Sequence, residues 1–265
     1  MVKHVNKIKV PAGKVYFDQF ANGARTGERY LGSTTGAELT ASTNDIQVFD
    51  PDYPVHQKLV DVATQADYAG QLTLQDMSLE NAALYFMATI DTVAQTATPV
   101  AAEAINAGNA VVGGRWYQLG QTAANPGGAR DVSAVAVKDA VPTTYAVGTD
   151  YDVDLVRGRI YVYTAAEGGS ASGKALLVDY TPAANSRTRV RVDQFVQAFG
   201  SLRFVADNTI GDNDDVYIPY CVMKPTGPYA LKQTGNNNLT AQLNLGIMQS
   251  PIAGEPLLVV DGVAA

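Results

Sequence analysis

Apolar and polar side chains alternate with a period of two along much of this chain, the mark of half-buried β-strands. A clean case is residues 67–75, where Tyr68, Gly70, Leu72 and Leu74 share one face and Ala69, Gln71, Thr73 and Gln75 the other. Residues 239–247 repeat it, with Leu239, Ala241, Leu243, Leu245 and Ile247 opposite Thr240, Gln242 and Asn244. Residues 56–65 read as a strand paired with 67–75. The run SLENAALYFM that follows reads as a short helix. Ser78 suits its N-cap, Glu80 suits the positive end of the helix dipole, and Leu84, Phe86 and Met87 are its apolar anchors.

The remaining punctuation also points to an all-β chain. Residues 14–20 (KVYFDQF) form a strand candidate closed by the turn Asn22-Gly23, and short extended pieces follow at 28–32 and 38–44. Residues 44–55 carry two prolines, which exclude a regular central strand there. That acidic loop (Asp45, Asp50, Asp52) also holds Ile46, Val48, Phe49 and Tyr53, so it either presents a binding surface or folds over its own core. Thr92 to Gly108 is Ala/Thr-rich and reads as a connector. Residues 109–185 read as a separate β module, with strands at 111–119, 132–138, 151–156, 159–163 and 174–180 and turns rich in Gly between them. Residues 188–199 fit either a helix or a strand, and the extended run after them favours the strand. Pro219 places the strand 216–223 at an edge or a bulge. The tail from Ser250, with Pro251 and Pro256, reads as an arm.

Composition narrows the chemistry. The chain has 265 residues, a formal net charge of −7 and one cysteine, Cys221. An acidic chain does not grip phosphates by counterion release, so ordinary DNA binding is disfavoured. A single cysteine gives no disulfide framework, and the opening residues lack a hydrophobic signal core, which together suggest assembly in a cytoplasm. No run is long and apolar enough to span a membrane. Catalytic and cofactor motifs are missing: His4 and His56 stand far apart, zinc needs more ligands than one Cys and two His supply, and no nucleophile elbow, P-loop or dinucleotide fingerprint is found. The acidic cluster Asp207, Asp212, Asn213, Asp214 and Asp215 lacks the spacing of a calcium loop and reads as a solvated turn. No enzyme, metal site or cofactor is expected. Lys3, Lys7, Lys9 and Lys14 precede the first acid, giving the N-terminus the character of a basic arm or of a frayed end.

Several segments, in this order, resemble one family. GERYLGSTTGAELTAS, the acidic proline-bearing loop, the strands 56–75 and SLENAALYFMA are similar to the corresponding run of siphophage major tail tube proteins. The segment GSLRFVADNTIGDNDDVYIPYCVMKPTGPYAL is similar to that family's C-terminal run, and YAVGTDYDVDLVRGRIYVY with LLVDYTP resembles a small β module of phage structural proteins.

The resemblance implies two packed β-sheets, sandwich- or barrel-like, flanked by one short helix. It assigns 1–108 and 186–265 to a tail-tube β domain and 109–185 to an inserted module that would lie on the outer surface. It implies hexameric rings stacked into a hollow virion tube through which DNA passes as transient cargo, with the tape measure, tail tip and terminator as further partners. Asp45, Ile46, Val48, Phe49, Asp50, Asp52 and Tyr53 would form the ring-stacking loop. Gln71, Thr73, Gln75, Thr240, Gln242 and Asn244 would line the bore. Lys3, Lys7 and Lys9 would dock on the next ring, since residues 45–76 hold six acids against Lys58 alone. The alternatives are a tail terminator or type VI secretion tube on the same fold, or a β-sandwich carbohydrate-binding module using Trp116, Tyr117, Tyr161 and Tyr163. Core packing explains those aromatics more simply.

Overall fold

The computed structural model describes residues 7–52, 54–141, 143–232, 234 and 238–262. It is built almost entirely of strands. β1 (Gly13–Gln19), β2 (Arg29–Tyr30), β3 (Thr34–Phe49) and β4 (Lys58–Leu74) precede the single helix α1 (Leu79–Phe86). There follow β5 (Thr89–Gln95), β6 (Val100–Ala104), β7 (Arg115–Gln118), β8 (Val132–Asp139), β9 (Tyr151–Asp154), β10 (Arg159–Val162), β11 (Leu176–Pro182) and β12 (Asn185–Arg191). β13 (Ala198–Ala206), β14 (Asp214–Thr226), β15 (Ala241–Ile247) and β16 (Val259–Gly262) close the chain. Two units result: residues up to Ile90 together with those from Val190 form one, and Asp91–Arg189 the other.

The first unit holds an eight-stranded sheet in the order β2-β1-β13-β14-β15-β4-β3, with β16 beside β14. The alternation read in 67–75 and 241–247 sets its register. Leu72, Leu74, Leu243 and Leu245 are buried on one face, where each contributes about 1.5–3 kcal/mol. Val15 of β1 and Leu39 of β3, from opposite ends of the order, line one cavity of about 250 Å³. The sheet therefore curls until its halves face each other, and the two layers of the sandwich belong to one hydrogen-bonded sheet. Helix α1 packs on β14 and β15 through its buried face, which includes Leu84 and Tyr85. Of the three apolar anchors expected from the sequence, Leu84 is buried in the core, Phe86 is 39% exposed but packs on Tyr85 and Tyr229, and Met87 is the half-buried, left-handed C-cap.

Pro219 explains itself through the pairing of β14. The N-terminal part of that strand, Asp214–Tyr217, pairs with β16, and its C-terminal part from Cys221 pairs with β15. Pro219 sits in the handover, opposite the register shift of β13 between Gly200 and Leu202, where no ladder N–H is required. The tail also differs from expectation. Residues from Val259 return to the sheet as β16 and do not leave it as an arm. Of the ambiguous stretch 188–199, residues 188–191 lie in β12 and 198–199 in β13, as favoured, but 192–197 between them are in neither strand nor helix.

The second unit is a small sandwich of two three-stranded sheets, β7-β10-β9 and β6-β11-β8, around a core that includes Val137, Ile160, Val162, Leu176 and Val178. Its strands begin before residue 109. The stretch read as a connector carries part of β5, all of β6 and a 3-10 turn at Ile105–Gly108. β5 pairs with β12. Its apolar periodicity is weak because three of its four half-buried positions, Thr89, Asp91 and Gln95, are polar, with only Val93 apolar; Gln95 donates to the carbonyls of Arg130 and Ala183, both at 2.7 Å.

Candidate functional site

The residues singled out for ring stacking sit on a long two-stranded arm. β3 and β4 pair in register from Thr34–Leu74 outward to Phe49–Lys58. β15 covers only the base of β4, from Leu74 to Ala69. Beyond that point β3 and β4 continue without a third strand for about 30 Å at the usual rise per residue. Asp45, Ile46, Val48 and Phe49 are therefore strand residues, which corrects the expectation of an irregular loop at 44–55. Likewise, 56–65 and 67–75 are not two paired strands: from Lys58 on they form the single strand β4. Pro51 and Pro54 stop the ladder at the tip, and Asp50 and Asp52 lie in that turn, where Asp50 Oδ1 accepts from the Asp52 N–H at 2.9 Å. Tyr53 lies outside the described residues.

Pairing of Ile46 with Val62 and Val48 with Val60 puts four aliphatic side chains on one face of the arm. They are 57%, 53%, 46% and 43% exposed in the order Ile46, Val62, Val48, Val60. The arm does not fold over its own core. Gly70 lies where it leaves the sheet. An added Cβ there would come within 2.9 Å of the Glu38 carbonyl and 3.0 Å of Leu39 Cδ2, so the close approach of the two strands needs glycine. β3 is also an edge strand of 16 residues, the kind of edge that templates pairing with another chain.

The residues expected to line a bore come together in part. Thr73 lies opposite Gln242 and Gln71 opposite Asn244, on the face away from the leucine core. Thr240 and Gln75 lie one residue beyond the last pair, Leu74–Ala241. Gln75 turns toward Ser33, whose hydroxyl donates to its Oε1 at 3.3 Å. The patch is not wholly uncharged. Glu38 extends the Gln71–Asn244 row at the β3 end, and Lys224 extends it at the β14 end.

Two motifs separated in sequence meet at α1. The Ser78 hydroxyl caps the helix by accepting from the Asn81 N–H at 3.2 Å. The fully buried Asn81 amide donates to the carbonyls of Leu31 at 2.7 Å and Asp76 at 2.8 Å, and its Oδ1 accepts from Arg29 at 2.9 Å. Burial lowers the Arg29 pKa, opposed by the nearby charges of Glu80 and Asp76. The GERYLG and SLENAAL segments are thus two halves of one latch. Asn81 was not singled out from the sequence, because nothing in a single chain marks an amide inside a helix as a cross-brace.

Lys7 and Lys9 bond within their own chain. Lys7 reaches Asp212 at 3.3 Å and Lys9 reaches Asp214, while Val10 bridges Ile210. Lys3 lies outside the described residues. The acidic cluster is the other half of this lock: Asp215 accepts from the Ala206 N–H and Asn213 from the Asn208 N–H. Among the described residues no group of three His, Cys, Asp or Glu side chains converges as a metal site, and no helix is long and apolar enough to cross a membrane.

In the second unit, Asp150 organises the Val147–Asp150 turn. It accepts from the Ala146 N–H and from the Ser170 N–H and hydroxyl, which hold its carboxyl below the usual carboxylate range. The aromatics do not all serve the core. Tyr117 packs against it, but Trp116 is 45% exposed and lies opposite Tyr161 on the outer face. Trp116 is not a core residue, contrary to the simpler sequence reading.

A protein family described as "protein of unknown function UCP028589" matches residues 10–231. No curated protein matches the chain.

Proposed function

The chain belongs to the family of proteins of unknown function UCP028589, and we propose that this member is a structural virion protein, the major tail tube subunit of a long non-contractile phage tail. In this reading six copies form a ring and rings stack into a hollow tube that conducts DNA. Partners are other copies of the chain, together with the tape measure, tail tip and terminator proteins.

The observation that carries the reading is the arm. A two-stranded ribbon is marginal by itself in water. This one bears Ile46, Val48, Val60 and Val62 on one face, a row that gains stability only when another surface covers it. An open edge on β3 and an apolar arm on the same hairpin give a copy of this chain two means of attachment, by strand pairing and by apolar packing. The patch of Gln71, Thr73, Gln242 and Asn244 supports a role as bore lining. Amides and hydroxyls offer phosphate weak, exchangeable contacts, and Glu38 repels it while Lys224 is a single attracting charge in that row.

The arm gives the test. A variant carrying Ile46→Asp and Val62→Asp should keep the β-sheet circular dichroism of the parent and lose assembly by light scattering. Assembly equal to the parent's would refute the role given to the arm.

A further inference from the structure

The module of residues 91–189 contains a groove that the tube reading does not use. It measures about 880 Å³, within the usual size of a ligand cleft, and its walls include Asn106, Ala107, Trp116, Gln121 and Pro126. Three observations set it apart from ordinary surface relief. First, the exposed Trp116 ring is held in place. The Arg159 guanidinium lies 4.4 Å over its centroid, and Tyr161 packs at 5.4 Å. Second, the groove wall is strained. Asn106 and Ala107 of the lining are both non-glycine residues at φ 53°, and such strain gathers where a backbone is shaped for a ligand. Third, polar groups at the groove have spare capacity. Gln121 is exposed and makes no hydrogen bond among the described residues. Asn106 spends its Nδ2 on the Ala110 carbonyl at 2.9 Å, which leaves Oδ1 an open acceptor.

We propose that this groove binds a neutral oligosaccharide, with the apolar face of one pyranose ring stacked on Trp116 and its hydroxyls paired with Gln121 and Asn106. Amides suit sugar hydroxyls because each can both donate and accept. A fixed indole suits the C–H face of a ring at little entropic cost. The sole charged residue in the lining is Glu103, already engaged by the Gly120 N–H and the Tyr180 hydroxyl. Arg159, the cation stacked on Trp116, is already paired with Asp154 at 3.1 Å, so the groove offers no unpaired cation for a phosphate or an acidic polymer.

Trp116 is the only tryptophan in the chain, so its emission reports on this groove without background. The full-length protein is titrated with maltohexaose, cellohexaose, chitohexaose and mannohexaose at millimolar concentration. At least one should shift the emission saturably. Asn106→Gly keeps a residue suited to positive φ and removes the amide. It and Gln121→Ala should each weaken that binding about tenfold with unchanged circular dichroism. Trp116→Phe, followed by calorimetry, should abolish it. The proposal is overturned by silence across all four sugars, by a response that survives both amide substitutions together, or by a response to heparin or single-stranded oligonucleotide alone. None of these readings depends on whether the protein forms tubes.

Discussion

Asn81 uses every polar atom of its side chain: the amide nitrogen reaches two carbonyls and the oxygen receives Arg29. Asn81→Ala would leave those groups buried without partners, which costs about 3 kcal/mol. The urea midpoint should fall accordingly while the fold is retained at low denaturant. Cys221 provides a second local test. Burial pushes its thiol up to about 12, whereas an unfolded thiol ionises near about 8.5. The folded state holds the proton more tightly, so this contribution to stability is complete below about 8.5 and is lost as pH rises toward about 12. Thiol labelling at pH 8 should be slow in the native protein and should accelerate only as urea unfolds it. Fast labelling of folded protein would place Cys221 outside the core.

The arm shows both what periodicity reveals and where it fails. Ile46 and Val48 alternate with Asp45 and Gln47, a strand pattern that the neighbouring Pro51 and Pro54 obscured. The prolines mark only the tip. Across 58–68 the alternation fades because both faces of the ribbon meet solvent in the monomer, so no face had to be apolar throughout. The strands facing the leucine core, β4 at its base and β15, were legible because burial on one side forces a period of two. At this scale the aspartate test is clean. Ile46 and Val62 are more than half exposed, so the substitutions should change monomer stability by no more than about 0.5 kcal/mol. A buried carboxylate in an interface, by contrast, abolishes association unless it is paired. Loss of assembly with an unchanged midpoint is therefore the expected pair of results.

For the whole molecule, the all-β class and the presence of an inserted module were readable from turn residues and strand spacing. Five strand positions in the module follow from its Gly-bearing turns, including Arg157-Gly158 between β9 and β10. The start of the module was not readable, because β5 turns the polar Asp91 and Gln95 to its half-buried side, where a pattern search looks for apolar side chains, and hydrogen-bonds Gln95 there. The exposed side of Trp116 was hidden for a related reason: an aromatic in a strand has the same sequence signature on either face. The curled sheet leaves one long edge open, and the arm carries aliphatic side chains past the end of the core. In the proposed reading both are covered by copies of the chain. Electron microscopy of the concentrated purified protein tests that claim most directly. The account predicts hollow tubes of stacked rings in which each arm lies against the neighbouring ring. Particles that remain single 28.0 kDa chains, even when seeded with tail tips, would contradict it.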